Sequence, residues 1–183
     1  MSVCVRFLVF LLISIAFGAA AAPAEETSYN KGVAAWREKN YAQARKHWEQ
    51  SLAEGGPDEA LNNLAFLLYN GMGGDKQRSR AVELWRKGAA LSVSEAQLHL
   101  AQAYESGGGI DMNLAAAYGW YRCAIATASD LSSNDPTETE IKNEAIAAVG
   151  KLTPKLSSAE RDKGEALAAS WISRYSHRLS AKP

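Results

Sequence analysis

Three histidines (His47, His99 and His177) and one pair of titratable groups a helical turn apart (Glu95 and His99) are the residues of this chain best suited to acid–base or metal chemistry. A zinc site needs three or four ligands at close spacing, as in H-E-x-x-H or a Cys/His set, and none of these histidines stands in such a pattern. Glu95 with His99 offers two groups only and reads as a hydrogen-bonded pair on a helix surface. Asp130, Asn134 and Asp135 bring the oxygen ligands that calcium takes, but not the alternating Asp-x-Asp-x-Asp-Gly of a calcium loop. Capping a helix already explains Asp135. No serine lies in G-x-S-x-G, and no Ser, His and Asp fall into a triad arrangement. The glycine runs at 71–74 and 107–109 do not follow strands, which excludes a phosphate-cradling loop and leaves them as turns between helices. No catalytic residue, metal or cofactor is expected.

The chain has 183 residues, 47% hydrophobic and 22% charged, as suits a water-soluble globular or solenoid protein. Its first segment differs. Arg6 precedes an apolar run from Phe7 to Phe17, and the small residues Gly18 to Ala22 follow with an Ala-x-Ala pattern. This is the build of a secretory signal peptide, and the run is shorter than the roughly 20 apolar residues that cross a bilayer. The preferred cut follows Ala21, since a cut after Ala22 would leave Pro23 first; a cut after Ala24 and an uncleaved N-terminal anchor are the alternatives. A periplasmic or secreted protein is the expectation, with no stable membrane insertion after cleavage.

Losing Arg6 leaves 19 of the 20 basic residues against 20 acidic ones, so no net field favours nucleic acid or an anionic membrane. Cys4 leaves with the signal peptide and precedes the apolar run, so it is no lipoprotein cysteine. Cys123 then stands alone, unable to staple its own fold. Three residues after Trp120, where Gly88 follows Trp85, it reads as a small packed residue; an intermolecular or redox role is the alternative.

The elements that carry these residues repeat. Ala60, Leu64, Ala65, Gly71, Gly73 and Asp75 lie over Ala96, Leu100, Ala101, Gly107, Gly109 and Asp111, all 36 residues apart. In a second register Ala44, Ala81 and Ala116 each precede a tryptophan (Trp48, Trp85 and Trp120) by four residues. Two registers imply two helices per repeat, and the fixed tryptophans are packing residues. Leu61, Leu64, Ala65 and Leu68 recur at helical spacing. An array over 25–127 is predicted, with hairpins at about 25–58, 59–93 and 94–127. In it Asp58 caps the second hairpin and Asp75 caps or braces its turn. A polar loop is expected at 128–140, then Asp135-Pro136-Thr137-Glu138 and Ser157-x-x-Glu160 open two helices over 141–176 that cap the array as a pair, and 177–183 is a frayed tail.

Gly32, Ala44, Trp48 and Pro57 have the spacing of a tetratricopeptide repeat, with a small residue at the eighth position of the first helix. The set Ala60, Leu64, Ala65, Leu68, Gly71, Gly73, Asp75, Arg80, Ala81, Trp85 and Ala89, repeated from Ala96 through Tyr104 to Trp120, resembles the Sel1-like repeat, the variant with a longer Gly-rich loop between its helices. Leu68 replaces the usual Tyr, and Trp120-Tyr121-Arg122-Cys123 lacks the usual Lys-Ala-Ala ending, which suggests that the array stops there.

The resemblance implies an all-α fold, a right-handed α-α solenoid of helical hairpins. It also implies that the second, fifth, ninth, twelfth and thirteenth positions of each first helix face a concave groove. Counting from Gly32, Ala65 and Ala101 as eighth gives Tyr29, Val33, Trp36 and Arg37; then Asn62, Phe66, Tyr69 and Asn70; then Leu98, Gln102 and Glu105. Tyr29, Trp36, Phe66 and Tyr69 either anchor a partner, as aromatics do at interfaces, or, for Trp36 and Phe66, fill space between adjacent helices. The function implied is a non-enzymatic scaffold or regulator holding a protein partner, of the kind that serves as an envelope scaffold, sensor-kinase regulator or assembly factor. A periplasmic inhibitor or immunity protein for a secreted toxic enzyme is the alternative, and a cell-wall-active hydrolase or β-lactam-binding protein, marked by a convergent nucleophile and base, is the alternative of another class. Some cysteine-rich Sel1-like proteins are associated with penicillin binding or β-lactam hydrolysis; with one mature cysteine this chain gives no ground for that activity.

Overall fold

The computed structural model describes residues 26–131 and 135–180, with side chains through Tyr175. The expected signal peptide lies outside them, as do residues 132–134 of the expected loop and 181–183 of the expected tail. Among the described residues the chain forms eight α-helices and one 3-10 turn. They are α1 Ser28–Arg37, α2 Tyr41–Ala53, α3 Glu59–Asn70, α4 Arg78–Ala90, α5 Ser94–Ser106, α6 Leu114–Leu131, α7 Pro136–Leu152 and α8 Ser158–Ser180, with the turn Thr153–Lys155 between the last two. The fold is the all-α solenoid: α1 pairs with α2, α3 with α4 and α5 with α6, and each pair packs on the next.

The first two hairpins close because a small residue on the first helix admits the ring of a tryptophan on the second. In the third, the expected packing residue Trp120 is only partly buried, and Tyr121, one 36-residue period after Trp85, takes the buried place beside Ala117. A Cβ built on Gly32 would lie 2.4 Å from Trp48 Nε1, so no larger residue fits there. Trp48 and Trp85 are only 3% and 2% exposed and share one core with Ala44, Leu64, Ala65, Leu68, Ala81 and Leu100.

The glycine loops dock backward on the preceding hairpin. Gly71 and Gly107 end α3 and α5 in the left-handed conformation, at φ 72° and 70°. The next residue in each case donates back across the turn, Met72 N–H to Leu67 C=O at 2.9 Å and Gly108 N–H to Ala103 C=O at 3.1 Å. Two residues past the first glycine, a Cβ on Gly73 would lie 2.4 Å from the Tyr41 carbonyl carbon, and one on Gly109 would lie 2.7 Å from that of Arg78. Tyr41 and Arg78 begin α2 and α4. Each long loop therefore lies backbone to backbone on the second helix of the hairpin before it.

Several caps differ from expectation. Asp58 is itself helical (φ −63°, ψ −23°) and makes no side-chain cap bond. Asp75 contributes its carbonyl, which accepts from Arg45 Nη1 at 3.4 Å, while the residue capping α4 in sequence is Gln77. The expected caps of the last two helices are formed: Asp135 Oδ1 accepts from Thr137 N–H at 2.8 Å, and Ser157 and Glu160 bond reciprocally.

The C-terminal third departs from the expected plan. The stretch 128–140 is mostly helix, since α6 runs on to Leu131 with Thr127 and Ala128 buried, and Pro136 already begins α7. The 177–180 part of the expected tail continues α8. Nor do the last two helices form a pair like the earlier ones, because each packs extensively on α6 instead. α8 approaches α6 to backbone contact, a Cβ on Gly164 falling 2.7 Å from the Ala115 carbonyl oxygen. Tyr118 Oη donates to Glu165 at 2.6 Å, and Arg122 pairs with the same carboxylate. Cys123 lies fully buried beside Ala168 and Trp171, and burial pushes its thiol up to about 12.

Two substitutions test the turn geometry by urea denaturation. Gly73→Ala meets both a positive φ of 75° and the Tyr41 backbone, and should cost roughly 2 kcal/mol or more. Lys39 holds φ 60° in the α1–α2 turn, so Lys39→Gly should add roughly 0.5–1 kcal/mol.

Candidate functional site

The first helices α1, α3 and α5 line one face, and two cavities of about 250 Å3 each open along it. The first lies between Val33 and Trp36 of α1, Asn62, Asn63 and Phe66 of α3 and Glu95 of α5, with Trp48 beneath. The second is bounded by Phe66, Tyr69 and Asn70 of α3 and by His99, Gln102 and Ser106 of α5, with Trp85 beneath. They are the same bay one repeat apart. Val33 and Trp36 correspond to Phe66 and Tyr69, Trp48 to Trp85, and Asn63 and Phe66 to His99 and Gln102. Phe66 is the wall they share.

An aromatic row runs along this face. Trp36 meets Phe66 edge-on, with centroids 5.8 Å apart, and Phe66 meets the His99 ring at 5.6 Å. Below the row, Trp36 contacts Trp48 at 6.0 Å, Tyr69 contacts Trp85 at 4.9 Å and Trp85 contacts His99 at 5.1 Å. Trp36 and Phe66 thus touch each other and also line a cavity. Arg78 sits over the Tyr69 ring at 5.2 Å.

A polar relay forms the floor. Asn62 is 2% exposed; its Nδ2 donates to Glu95 Oε2 at 2.8 Å and its Oδ1 accepts from His99 Nδ1 at 2.9 Å. An ionised carboxylate can only accept, which turns the amide nitrogen toward Glu95 and the amide oxygen toward His99. The imidazole therefore donates from Nδ1, as both its neutral and its charged forms can, and burial favours the neutral one. Glu95 and His99 are not the surface pair expected from their spacing, since both are largely buried and Asn62 stands between them. Burial lowers His99 to about 4. Burial first, then the charges of Glu138 and Glu144, raise the Glu95 carboxyl.

Of the other groove positions, Tyr29 is half-buried next to the first bay, and burial raises its hydroxyl. Arg37 is exposed at the end of α1 and lines neither bay. Asn70 lines the second bay while its amide donates to the Phe66 carbonyl at 2.9 Å. Gln102 lines it too and donates to Glu144 Oε1 of α7 at 2.8 Å. Leu98 is not a groove residue: α7 covers it, and it is 3% exposed in the core formed by α5, α6 and α7. Glu105 is engaged from the α6 side, where it accepts from Tyr121 Oη at 2.7 Å. Glu95 and Ser106 occupy the second and thirteenth positions counted from Ala101, so the count that gave Leu98 also reaches these two lining residues. His99 and Asn63, at the sixth position, fall outside it.

Among the described residues no three His, Cys, Asp or Glu side chains come together to hold a metal ion, and no helix is long and apolar enough to cross a membrane.

The His99 environment predicts a pH dependence. A histidine whose folded value lies near 4 binds fewer protons in the native state than in the unfolded chain, so its contribution falls as pH drops below about 6.5 and is fully lost near 4. Glu95 acts in the opposite sense, because a raised carboxyl destabilises the fold at neutral pH and the penalty is relieved on acidification. The comparison that isolates His99 is the stability of the protein minus that of His99→Gln. This difference should shrink by about 1–3 kcal/mol between pH 7 and 4.5 in urea denaturation, and should stay flat if the ring is solvated.

The model of the Sel1 repeat matches residues 27–56, 58–93 and 94–126. No curated protein matches. Among solved structures, the chain is similar to c5321, a protective antigen present in uropathogenic Escherichia coli strains with an SLR fold. Identity is 22% and the TM-score 0.64, over 85% of this chain and 32% of that one. It is also similar to a Sel1 repeat protein from Oxalobacter formigenes, at 25% identity and TM-score 0.58, over 78% of this chain and 55% of that one. The chain thus spans about a third and about half of the lengths of these two proteins. With three repeat units matched over more than half of its residues, each closing on a small-residue contact or a glycine turn described above, the chain belongs to the Sel1 repeat family.

Proposed function

We propose that the protein is exported and acts as a non-enzymatic scaffold or regulator that holds an extended segment of a partner protein along the concave face, one side chain in each bay. Sel1-repeat proteins generally mediate protein–protein interaction, and the fold is typically a non-enzymatic scaffold. The observation that carries the reading is the pair of repeat-equivalent bays sharing Phe66. At about 250 Å3 each, they fall below the roughly 300–1,000 Å3 of sites that enclose cofactors and drug-sized ligands. They suit single side chains. Two bays one repeat apart also suit a ligand that is itself a chain. Rigid aromatic walls supply contact area with little ordering cost. Export rests on the Arg6, Phe7–Phe17 and Ala-x-Ala arrangement of the N-terminus.

Two measurements test this. Affinity capture from envelope extracts should recover the same partner with the parent protein and lose it with a Trp36→Ala, Tyr69→Ala double variant that circular dichroism shows to be folded. Equal recovery by both would place binding elsewhere and overturn the groove reading. Mass spectrometry of protein from the periplasmic fraction should find Ala22 as the first residue, and full-length protein in the cytosol would overturn export.

A further inference from the structure

The two bays share an architecture but not a charge. In the second, no carboxylate, lysine or arginine lines the opening: burial keeps His99 neutral, and the other polar groups include the amides of Asn70 and Gln102 and the hydroxyls of Tyr69 and Ser106. In the first, the rings of Trp36, Trp48 and Phe66 surround an opening whose far side is the Glu95 carboxylate, and no lysine, arginine or histidine lines it. Asn62 fixes that carboxylate through Oε2 but brings no positive charge. The carboxylates closest in effect are also negative: Glu138 and Glu144 of α7 act on Glu95, and Glu59 and Glu95 both act on Tyr29 beside the bay.

Resting on the groove reading, we infer that the first bay receives a cationic side chain, arginine or lysine, from the partner segment, while the second takes an uncharged one. Charge complementarity decides between this occupant and an apolar one. An apolar side chain would strip the remaining water from Glu95 without replacing it, and a partly buried carboxylate left without a cation is costly. A guanidinium or ammonium instead answers the carboxylate and lies against electron-rich ring faces, which attract cations. The aliphatic stem of the same side chain covers Val33 and the ring edges.

The test uses the amide of N-acetyl-arginine against that of N-acetyl-citrulline, which has the same shape and no charge, with the mature protein labelled at its tryptophan indoles for NMR. The arginine amide should shift the Trp36 and Trp48 indole resonances saturably and leave Trp171 on α8 unmoved. Citrulline should bind roughly tenfold more weakly or worse. Glu95→Gln keeps an oxygen for Asn62 and should remove the preference for arginine. Added salt should weaken the arginine response of the parent and not the citrulline response, which keeps the question decidable if the variant does not fold. Equal shifts from both amides would overturn the charge assignment and leave the groove reading standing. No shift at Trp36 and Trp48 from either would overturn the assignment, and the paired capture experiment above would then judge the groove separately.

Discussion

The packing of a tryptophan into the notch left by a small residue is the contact on which the molecule depends. Trp48 over Gly32 leaves no room for a methyl group. Because the ring is wide and rigid, it fixes how closely and at what angle the two helices of a hairpin run. It also projects to the far side, where Trp48 and Trp85 become the floors of the two bays. The same residue therefore closes the hairpin and shapes the concave surface, so stability and binding geometry are not separable at these positions. The glycine loops then set the step between hairpins by laying backbone on backbone at Gly73 and Gly109.

Two buried amides inside the array are each matched across helix boundaries, while the Ser51 hydroxyl and the indole N–H groups of Trp48 and Trp85 are buried without a hydrogen-bond partner. Gln97 is fully buried, its Nε2 donating to the Ala89 carbonyl at 3.2 Å and its Oε1 accepting from Thr127 at 2.9 Å, which joins α4, α5 and α6. Asn62 does the equivalent between α3 and α5. Such groups are costly when unmatched, so they penalise any slip of one helix past another. They tie α3 to α5, and α5 to α4 and α6, in the one register that forms the bays.

Much of this was legible in the sequence because it follows from period and residue size. The 36-residue recurrence, the alanine–tryptophan pairs and the glycine turns give helix pairs and their order. The capping boxes at Asp135 and Ser157 were readable because they act within four residues. What was not legible depends on contacts between distant segments. Leu98 satisfies the groove count, yet α7 lies across it, and nothing local to Leu98 indicates that. Glu95 and His99 resemble a solvated pair at one-turn spacing, because the residue that buries and bridges them, Asn62, stands 33 positions before Glu95. The polar run after Ala128 reads as a loop by composition, while the burial of Thr127 and Ala128 under neighbouring helices carries α6 further.

Helix α6 is longer than the other second helices, with 18 residues against 13 in α2 and in α4, and it is covered by α7 on one side and by α8 on another. The surface that would have received a further hairpin is thus already occupied, with Gly119 and Gly164 holding α8 at backbone distance. A further hairpin stacked on α6 would have to displace α7 and α8. Duplicating the interior segment bounded by Ala60 and Ala96 avoids that terminus, and each such duplication would insert one more compartment into the middle of the recognition surface while leaving α7 and α8 as they are.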